Sequence, residues 1–445
     1  MTRGGNTTGK RAPFAARNGD DALDTGRSTP EGVPITTGNT TLVRVMDRLR
    51  ERDADPLDLP ILHPAEPFLD LAGEDLRRRI VLVDDGDGVP LCLRPEFTIP
   101  VARAYLRAAR EEPIKARRFA CAGTVFRRGT QGSNEGLQAG IEAIGDEQRE
   151  EADARAIADC VALVEGFLAD TPSRAAGRLE VTLGDQAIFE ALTRSLGLPN
   201  VWFRRLVRLF GDTSALERAL ESLVQGANSP HPASETRLGT DPALPRDVER
   251  ALARGDRRSL ANAISNAIAK GGMSAGVRSA EDIAVRLLER RRIETTRLNQ
   301  RSADLLKAVL TLDVPLTALR EVLGELGALD DCGVSDKADN SDLHRALHSH
   351  ERRVEALRAC GLDPERLRFR GALGRPLDYY SGLVFEIAHG EVADGAGQGR
   401  TVLAGGGRYD ALLSLLGAPR PVPAVGFALD MDRILSSGAR QEATR

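Results

Sequence analysis

Aromatic residues are scarce in this chain, at 4% of 445 residues, with one tryptophan and four tyrosines. Its core must therefore be packed mainly from aliphatic side chains, and a ring inside a motif carries more weight than bulk alone. Charge of one sign is missing too. Sixty-one Lys and Arg against 65 Asp and Glu leave −4, which excludes the global basic field that drives nucleic-acid binding, though not a local patch. No apolar run approaches the ~20 residues of a membrane span, and the first twenty residues hold no hydrophobic stretch for a secretory signal. A cytoplasmic protein away from the membrane is expected. The five cysteines (Cys92, Cys121, Cys160, Cys332 and Cys360) lie far apart without CxxC spacing. This argues against a disulfide framework and a zinc site, and leaves them as small buried hydrophobes. His344 and His348 could share a helix face but have no acidic or cysteine partner at ligand spacing, so no metal site is expected. There is no GxxxxGK[ST] loop, no Rossmann fingerprint, no GxSxG elbow and no Cys/His constellation. No catalytic residue and no cofactor is therefore assigned.

Residues 1–37 are rich in Gly, Thr, Asn, Asp and Pro without periodicity and read as a disordered tail. Leu42, Val45, Met46 and Leu49 then recur at helical spacing behind Thr40 and Thr41. Short strands follow in RRIVLVDD, GVPLCLR, RRFACAGTVFRR, GLQAGIEAIG and LEVTLG. Residues 185–364 read as mainly helical, interrupted by the loop-like GANSPHPASETRLGTDPALP. Strand patterns return over 365–445. Strands on both sides of a helical insertion predict an α+β fold: an antiparallel sheet assembled from residues 38–184 and 365–445, flanked by helices.

Alternation in GLQAGIEAIG places Leu137, Ala139, Ile141 and Ala143 on one face and Gln138, Gly140 and Glu142 on the other. The two polar residues are separated by about 13 Å of strand, with a gap at Gly140 where a small ligand could meet the backbone. A solvated sheet face is the plain alternative. In LDYYSGLVFEI, Tyr380 and Gly382 share a strand face, with Arg375 just upstream. In AGGGRYDALLSLLG, three glycines read as a packing turn before a helix that starts near Arg408 and ends at Gly417. The runs Arg77–Arg79 and Arg127–Arg128 read, on their own, as solvated charge.

Taken together, the segments LRPEFTIPVARA (93–104), FRR (126–128), LQAGIE (137–142), RPLDYYSGLVFE (375–386), AGGGRYDALLSLLG (404–417) and PAVGFALDMDR (423–433) resemble the catalytic domain of histidyl-tRNA synthetase, a class II synthetase. The match is in order and covers about half of the chain. It implies a histidine pocket in which Glu96, Thr98 and Gln138 hold the α-amino group and Arg127 pairs with the carboxylate. Glu142 and Tyr380 would read the imidazole nitrogens, Tyr409 would close the pocket, and Arg375 and Tyr379 belong to the same set. This decides against the solvated-face reading.

The nucleotide half departs from the family. Gly129 stands where motif 2 has glutamate, and Gly136 where a phenylalanine stacks on adenine. The loop between them lacks an arginine and an aromatic. Asp430 replaces a motif 3 glycine, adding bulk and repulsion toward a triphosphate. Arg433 and Arg375 survive. Adenylation needs several cations clamping the phosphates, so negligible activity is expected. Only twelve residues follow Arg433, too few for the family's anticodon-binding domain, and the charge balance fits the absence of tRNA as a partner.

A histidine pocket without its nucleotide half resembles the regulatory-subunit family of ATP phosphoribosyltransferase. That resemblance implies a non-catalytic chain needed by a short catalytic subunit and transmitting feedback inhibition by histidine. It also implies self-association as a dimer within a hetero-octamer. A truncated active histidyl-tRNA synthetase and a stand-alone histidine sensor are the alternatives.

Overall fold

Period-two alternation requires each strand to bury one face against something, and here both faces of a large sheet are used. The computed structural model describes residues 40–71, 73–84, 86, 88–111, 116–129, 134–170, 179–225, 244–271, 279–329, 340–374, 379–389 and 400–437. The tail read over 1–37, Cys332 and Arg375 lie outside the described residues.

Twelve strands are described: β1 (Asp55–Pro56), β2 (Leu62–Pro64), β3 (Leu82–Asp84), β4 (Pro90–Leu93), β5 (Arg117–Phe126) and β6 (Glu135–Ile144) from the first part of the chain. They are followed by β7 (Leu179–Asp185), β8 (Asp313–Pro315), β9 (Arg368–Arg370), β10 (Leu383–His389), β11 (Thr401–Arg408) and β12 (Ala424–Asp430). Nine form one sheet in the order β1-β5-β6-β12-β11-β10-β7-β9-β8, and β2-β4-β3 form a small second sheet. The inner run from β5 to β7 is antiparallel throughout. Parallel pairs occur toward the edges, β1 with β5 and β7 with β9, so the predicted antiparallel sheet is mixed at its margins.

On one face of the sheet, Ala139, Ile141, Val181, Leu183, Phe385, Leu403, Phe427 and Leu429 join the main aliphatic core. The helix Arg149–Ala169 covers this face, burying Ala152, Ala156, Cys160, Val164 and Phe167, a stripe at helical spacing. The helix Thr40–Arg50 contributes Val45, Met46 and Leu49 to the same core. The helical stretch has two characters. The helices Gln186–Ser195, Gln300–Leu310 and Asn340–Ala359 join that main core, whereas Val248, Leu260, Ile264 and Ala284 form a separate cluster.

Two local expectations are corrected. Gly405, Gly406 and Gly407 lie inside β11 rather than in a turn, Arg408 is its last residue, and the helix that follows is only Leu412–Leu415. The last strand before them, β10, begins at Leu383, so Tyr380 precedes it instead of sharing a strand face with Gly382. The cysteine reading holds for Cys92, Cys121 and Cys160, which are buried, but Cys360 is exposed.

Behind the sheet lies a buried ionic network. Arg353 Nε donates to Asp153 Oδ2 at 2.9 Å and its Nη1 to Asp185 Oδ2 at 3.1 Å. Arg408 Nε donates to Asp153 Oδ1 at 2.9 Å and its Nη1 to Asp410 Oδ1 at 2.8 Å. Burial opposes the charge on Arg408, but Asp153 and Asp410 outweigh it and hold its guanidinium above the ordinary range. Asp153 thus joins β11 to the helix Asn340–Ala359 through two guanidiniums. Removing one member of such a network leaves charge buried and uncompensated, which costs about 3–5 kcal/mol. Asp153→Ala is expected to lower the stability by that order in a urea titration. A loss below about 1 kcal/mol, the range of exposed pairs, would show the network to be solvated.

Candidate functional site

The other face of β6 opens onto a cavity of about 150 Å³, comparable to cavities that accept a single small ring. Gln138, Gly140 and Glu142 form its floor with Gly405, Gly426 and Ala428 from the neighbouring strands. Glu96, Thr98, Arg127, Tyr379 and Tyr380 complete the wall. Eight of the nine residues assigned to histidine binding are described. Seven of these line one cavity, and the eighth, Tyr409, stands behind Glu142.

Glu142 is buried and each of its carboxyl oxygens accepts one hydroxyl: Thr98 Oγ1 donates to Oε1 at 2.6 Å, and Tyr409 OH donates to Oε2. Room for that carboxylate comes from β12. A Cβ at Gly426 would sit 1.7 Å from Glu142 Oε2, and one at Gly407 would sit 2.7 Å from the Tyr380 ring. The glycines in these strands are therefore the negative image of two site residues. Glu96 is also buried, accepting from the backbone of Thr98 at 2.6 Å and Ile99 at 3.0 Å. It caps the helix Thr98–Glu111, whose N-terminus suits a carboxylate.

Arg94, from the same LRPE segment, is buried under Phe97 and donates to the carbonyls of Thr124 at 2.9 Å and Leu59 at 2.6 Å. It is a clamp outside the cavity lining. Arg127 Nε donates to Pro95 O at 2.6 Å, which fixes its guanidinium at the cavity wall. Gln138 Oε1 is buried and accepts no hydrogen bond. An orphaned acceptor in a polar cavity is a place for a ligand N–H. The rings of Tyr379, Tyr380 and Tyr409 pack edge-on or tilted at centroid distances of 5.2–6.5 Å. Burial holds the hydroxyls of Tyr379 and Tyr409 well above the usual tyrosine range, so they stay protonated donors.

Sequence reasoning missed Arg79. Read as one of three solvated arginines, it lines the cavity, while Arg77, Arg78 and Arg128 are exposed.

The second predicted region lies at the end of β6 nearest Asp430, which pairs in register with Gln138. Gly129 N donates to Asn134 Oδ1 at 3.0 Å. A Cβ at Gly136 would lie 3.5 Å from Asp432 Oδ2, which accepts from Leu137 N at 2.8 Å. Asp430 caps the helix Met431–Ser436 and pairs with Arg433 Nε at 3.0 Å. Arg433 Nη1 donates to Val402 O at 3.0 Å. The surviving arginine is thus matched by an internal carboxylate.

The family model for histidyl-tRNA synthetase matches residues 42–294 and 236–434. The curated relative from Allorhizobium ampelinum, named ATP phosphoribosyltransferase regulatory subunit, is 44% identical over 398 residues, covering 89% of this chain and 97% of that one. One from Agrobacterium fabrum with the same name is 42% identical, over 88% and 94% of the two chains. The chain belongs to the ATP phosphoribosyltransferase regulatory subunit family. A crystal structure from Bacillus halodurans, described as an ATP phosphoribosyltransferase regulatory subunit/histidyl-tRNA synthetase, superposes with a TM-score of 0.55 at 20% identity. It covers 92% of this chain and 83% of that one, and so shares the fold. The α+β architecture is therefore that of a class II synthetase catalytic domain. This chain thus carries the synthetase sheet, and the floor of its cavity is built around Glu142.

Burial raises the Glu142 carboxyl from the ordinary 4.5 to about 8; Thr98 and Tyr409 pull it down, and neighbouring Glu96 pushes it further up. A carboxyl whose folded value exceeds its unfolded one binds protons more tightly in the folded chain. Its contribution to stability is complete below about pH 4.5 and is lost as pH rises through about 8. The unliganded protein should therefore lose stability over that window more steeply than Glu142→Gln. Superimposable pH–stability curves for the two would refute the assignment.

Proposed function

We propose that the chain is the non-catalytic regulatory subunit of ATP phosphoribosyltransferase, binding histidine in the cavity on β6. In this reading it is required by a short catalytic subunit that makes phosphoribosyl-ATP from ATP and phosphoribosyl pyrophosphate, and it transmits feedback inhibition by histidine. The observation that carries the reading is the orphaned Gln138 Oε1 in a cavity that also presents buried Glu142 and Glu96 and the guanidinium of Arg127. A zwitterion with a basic ring matches that set: its ammonium meets Gln138, Thr98 and Glu96, its carboxylate meets Arg127, and its imidazole meets Glu142 and Tyr380. A cation arriving at Glu142 offsets the burial that keeps the acid protonated. The structure Tyr409 adds is a brace for Glu142 rather than a lid.

Absence of aminoacylation is part of the proposal. Arg433 is paired with Asp430, and Asp432 occupies the backbone position beside Gly136. A triphosphate would meet two carboxylates and a cation already matched. This disfavours an active truncated synthetase. The chain is expected in the cytoplasm, without tRNA, as dimers within a hetero-octamer. Among the described residues no helix is long and apolar enough to cross a membrane. Inhibition requires only that histidine bind two quaternary states with affinities differing by about 1–3 kcal/mol.

Calorimetry should detect histidine binding to the purified chain, with Glu142→Ala or Arg127→Ala weakening it at least ~10-fold. Histidine-dependent ATP–pyrophosphate exchange should be absent, and Asp430→Gly alone should not restore it. Adding the chain to a short catalytic subunit should switch on phosphoribosyl transfer, and histidine should switch it off. Exchange activity in the unmodified chain would remove the central claim.

A further inference from the structure

Among the described residues two guanidiniums line the cavity, and the histidine reading gives a role to one of them, Arg127. Arg127 extends from the end of β5 on the large sheet. Arg79 ends the helix Glu74–Arg79, which leads directly into β3 of the small sheet. The two are anchored alike. Arg127 Nε donates to Pro95 O at 2.6 Å, and Arg79 Nε donates to Arg128 O at 3.2 Å. In each case a backbone carbonyl engages the Nε edge, and the side chain still lines the cavity. A second bond, from Arg128 N to Arg79 O at 2.8 Å, locks Arg79 to the residue next to Arg127. Its neighbours Arg77 and Arg78 are exposed, so only one arginine of the run is turned inward.

Burial, Thr98, Tyr409 and Glu96 act on the ionisation of Glu142, and the guanidinium of Arg127 acts on Glu96. Arg79 and Arg127 lie on the half-buried side of the cavity, and the two acids are on its buried side. This polarity orients a zwitterion with its cationic groups inward and its carboxylate outward. A carboxylate has two oxygens and about four acceptor directions, enough for two guanidiniums at once.

We propose that Arg79 is a specificity-determining residue of the pocket, a second guanidinium that recognises the free carboxylate of the bound amino acid together with Arg127. The proposal rests on the histidine reading and deepens it. Because Arg79 belongs to the small-sheet side and Arg127 to the large sheet, a carboxylate held by both ties the two sheets together when the site fills. Ligand lacking the carboxylate would occupy the same floor without making that tie.

The test compares histidine with histidinol, which keeps the imidazole and the amine but replaces the carboxylate with a hydroxymethyl group. Both are titrated calorimetrically into the full-length chain, as wild type, Arg79→Gln and Arg79→Lys. Arg79→Gln should weaken histidine by about 10- to 100-fold while changing histidinol by less than about 3-fold, and Arg79→Lys should recover part of the loss. In wild type, histidine but not histidinol should slow amide exchange in β3 and β4, and Arg79→Gln should abolish the difference. Unchanged histidine affinity in Arg79→Gln would overturn the proposal, as would an equal loss for both ligands, the mark of a merely structural role. Failure of the wild type to bind histidine would instead overturn the reading of the pocket itself, and this proposal with it.

Discussion

A carboxylate buried in the notch left by a missing side chain sets the geometry of this protein. Glu142 occupies space that a Cβ at Gly426 would fill, and it is held there by hydroxyl donors from Thr98 and Tyr409. Thr98 opens a helix capped by Glu96, and Tyr409 follows directly on β11. One acid therefore collects the N-terminal half of the chain and its last two strands around a single point. Moving any of these elements by an ångström would strand a buried carboxyl without donors, which is costly in a low-dielectric interior. Glu142 also lines the cavity, so the device that secures the fold presents an acid to that space.

The opposite face of the sheet is secured by charge as well. Arg408 reaches through to Asp153 while Arg353 meets the same acid from the helix Asn340–Ala359. The motif GGRYD is thereby divided by function. Its second glycine admits Tyr380, its arginine and aspartate serve the rear network, and its tyrosine braces Glu142. LRPE is divided likewise, Arg94 clamping backbone carbonyls and Glu96 capping a helix. Signature residues of the synthetase fold thus act on the sheet from both sides, and only some of them face the cavity.

How much could be read from the sequence follows from which interactions are local. Alternation over 137–143 gave both faces of β6 correctly because side-chain direction on a strand has period two, whatever packs against it. The helix stripe around Val45, Met46 and Leu49 was legible for the same reason. Three glycines before Arg408 satisfied the local signature of a turn, but the space at Gly406 is needed by the backbone of β12 and that at Gly407 by Tyr380, neither of them local in sequence. Asp153 is 255 residues from Arg408 and 200 from Arg353; nothing in the neighbourhood of any of the three marks it as buried. Arg79 was lost among exposed arginines because a run of like charges carries no sign of which member turns inward. The pocket residues themselves emerged through resemblance to a family, since their convergence from five separate segments has no periodic signal.

Two regions of the sheet also differ in how their charge is satisfied. On β6, the acceptor at Gln138 remains without an internal partner and the cavity remains open. A few residues along the same sheet, Asp430 supplies both a helix cap and a counter-charge for Arg433, whose remaining donor capacity includes a bond to Val402 O. A site built for an external anion must keep its cations underpaired when empty, and that is destabilising unless water compensates. Asp430 already supplies Arg433 with a counter-charge that is covalently part of the chain. The cation at Arg433 is therefore matched within the chain, whereas the acceptor at Gln138 is not.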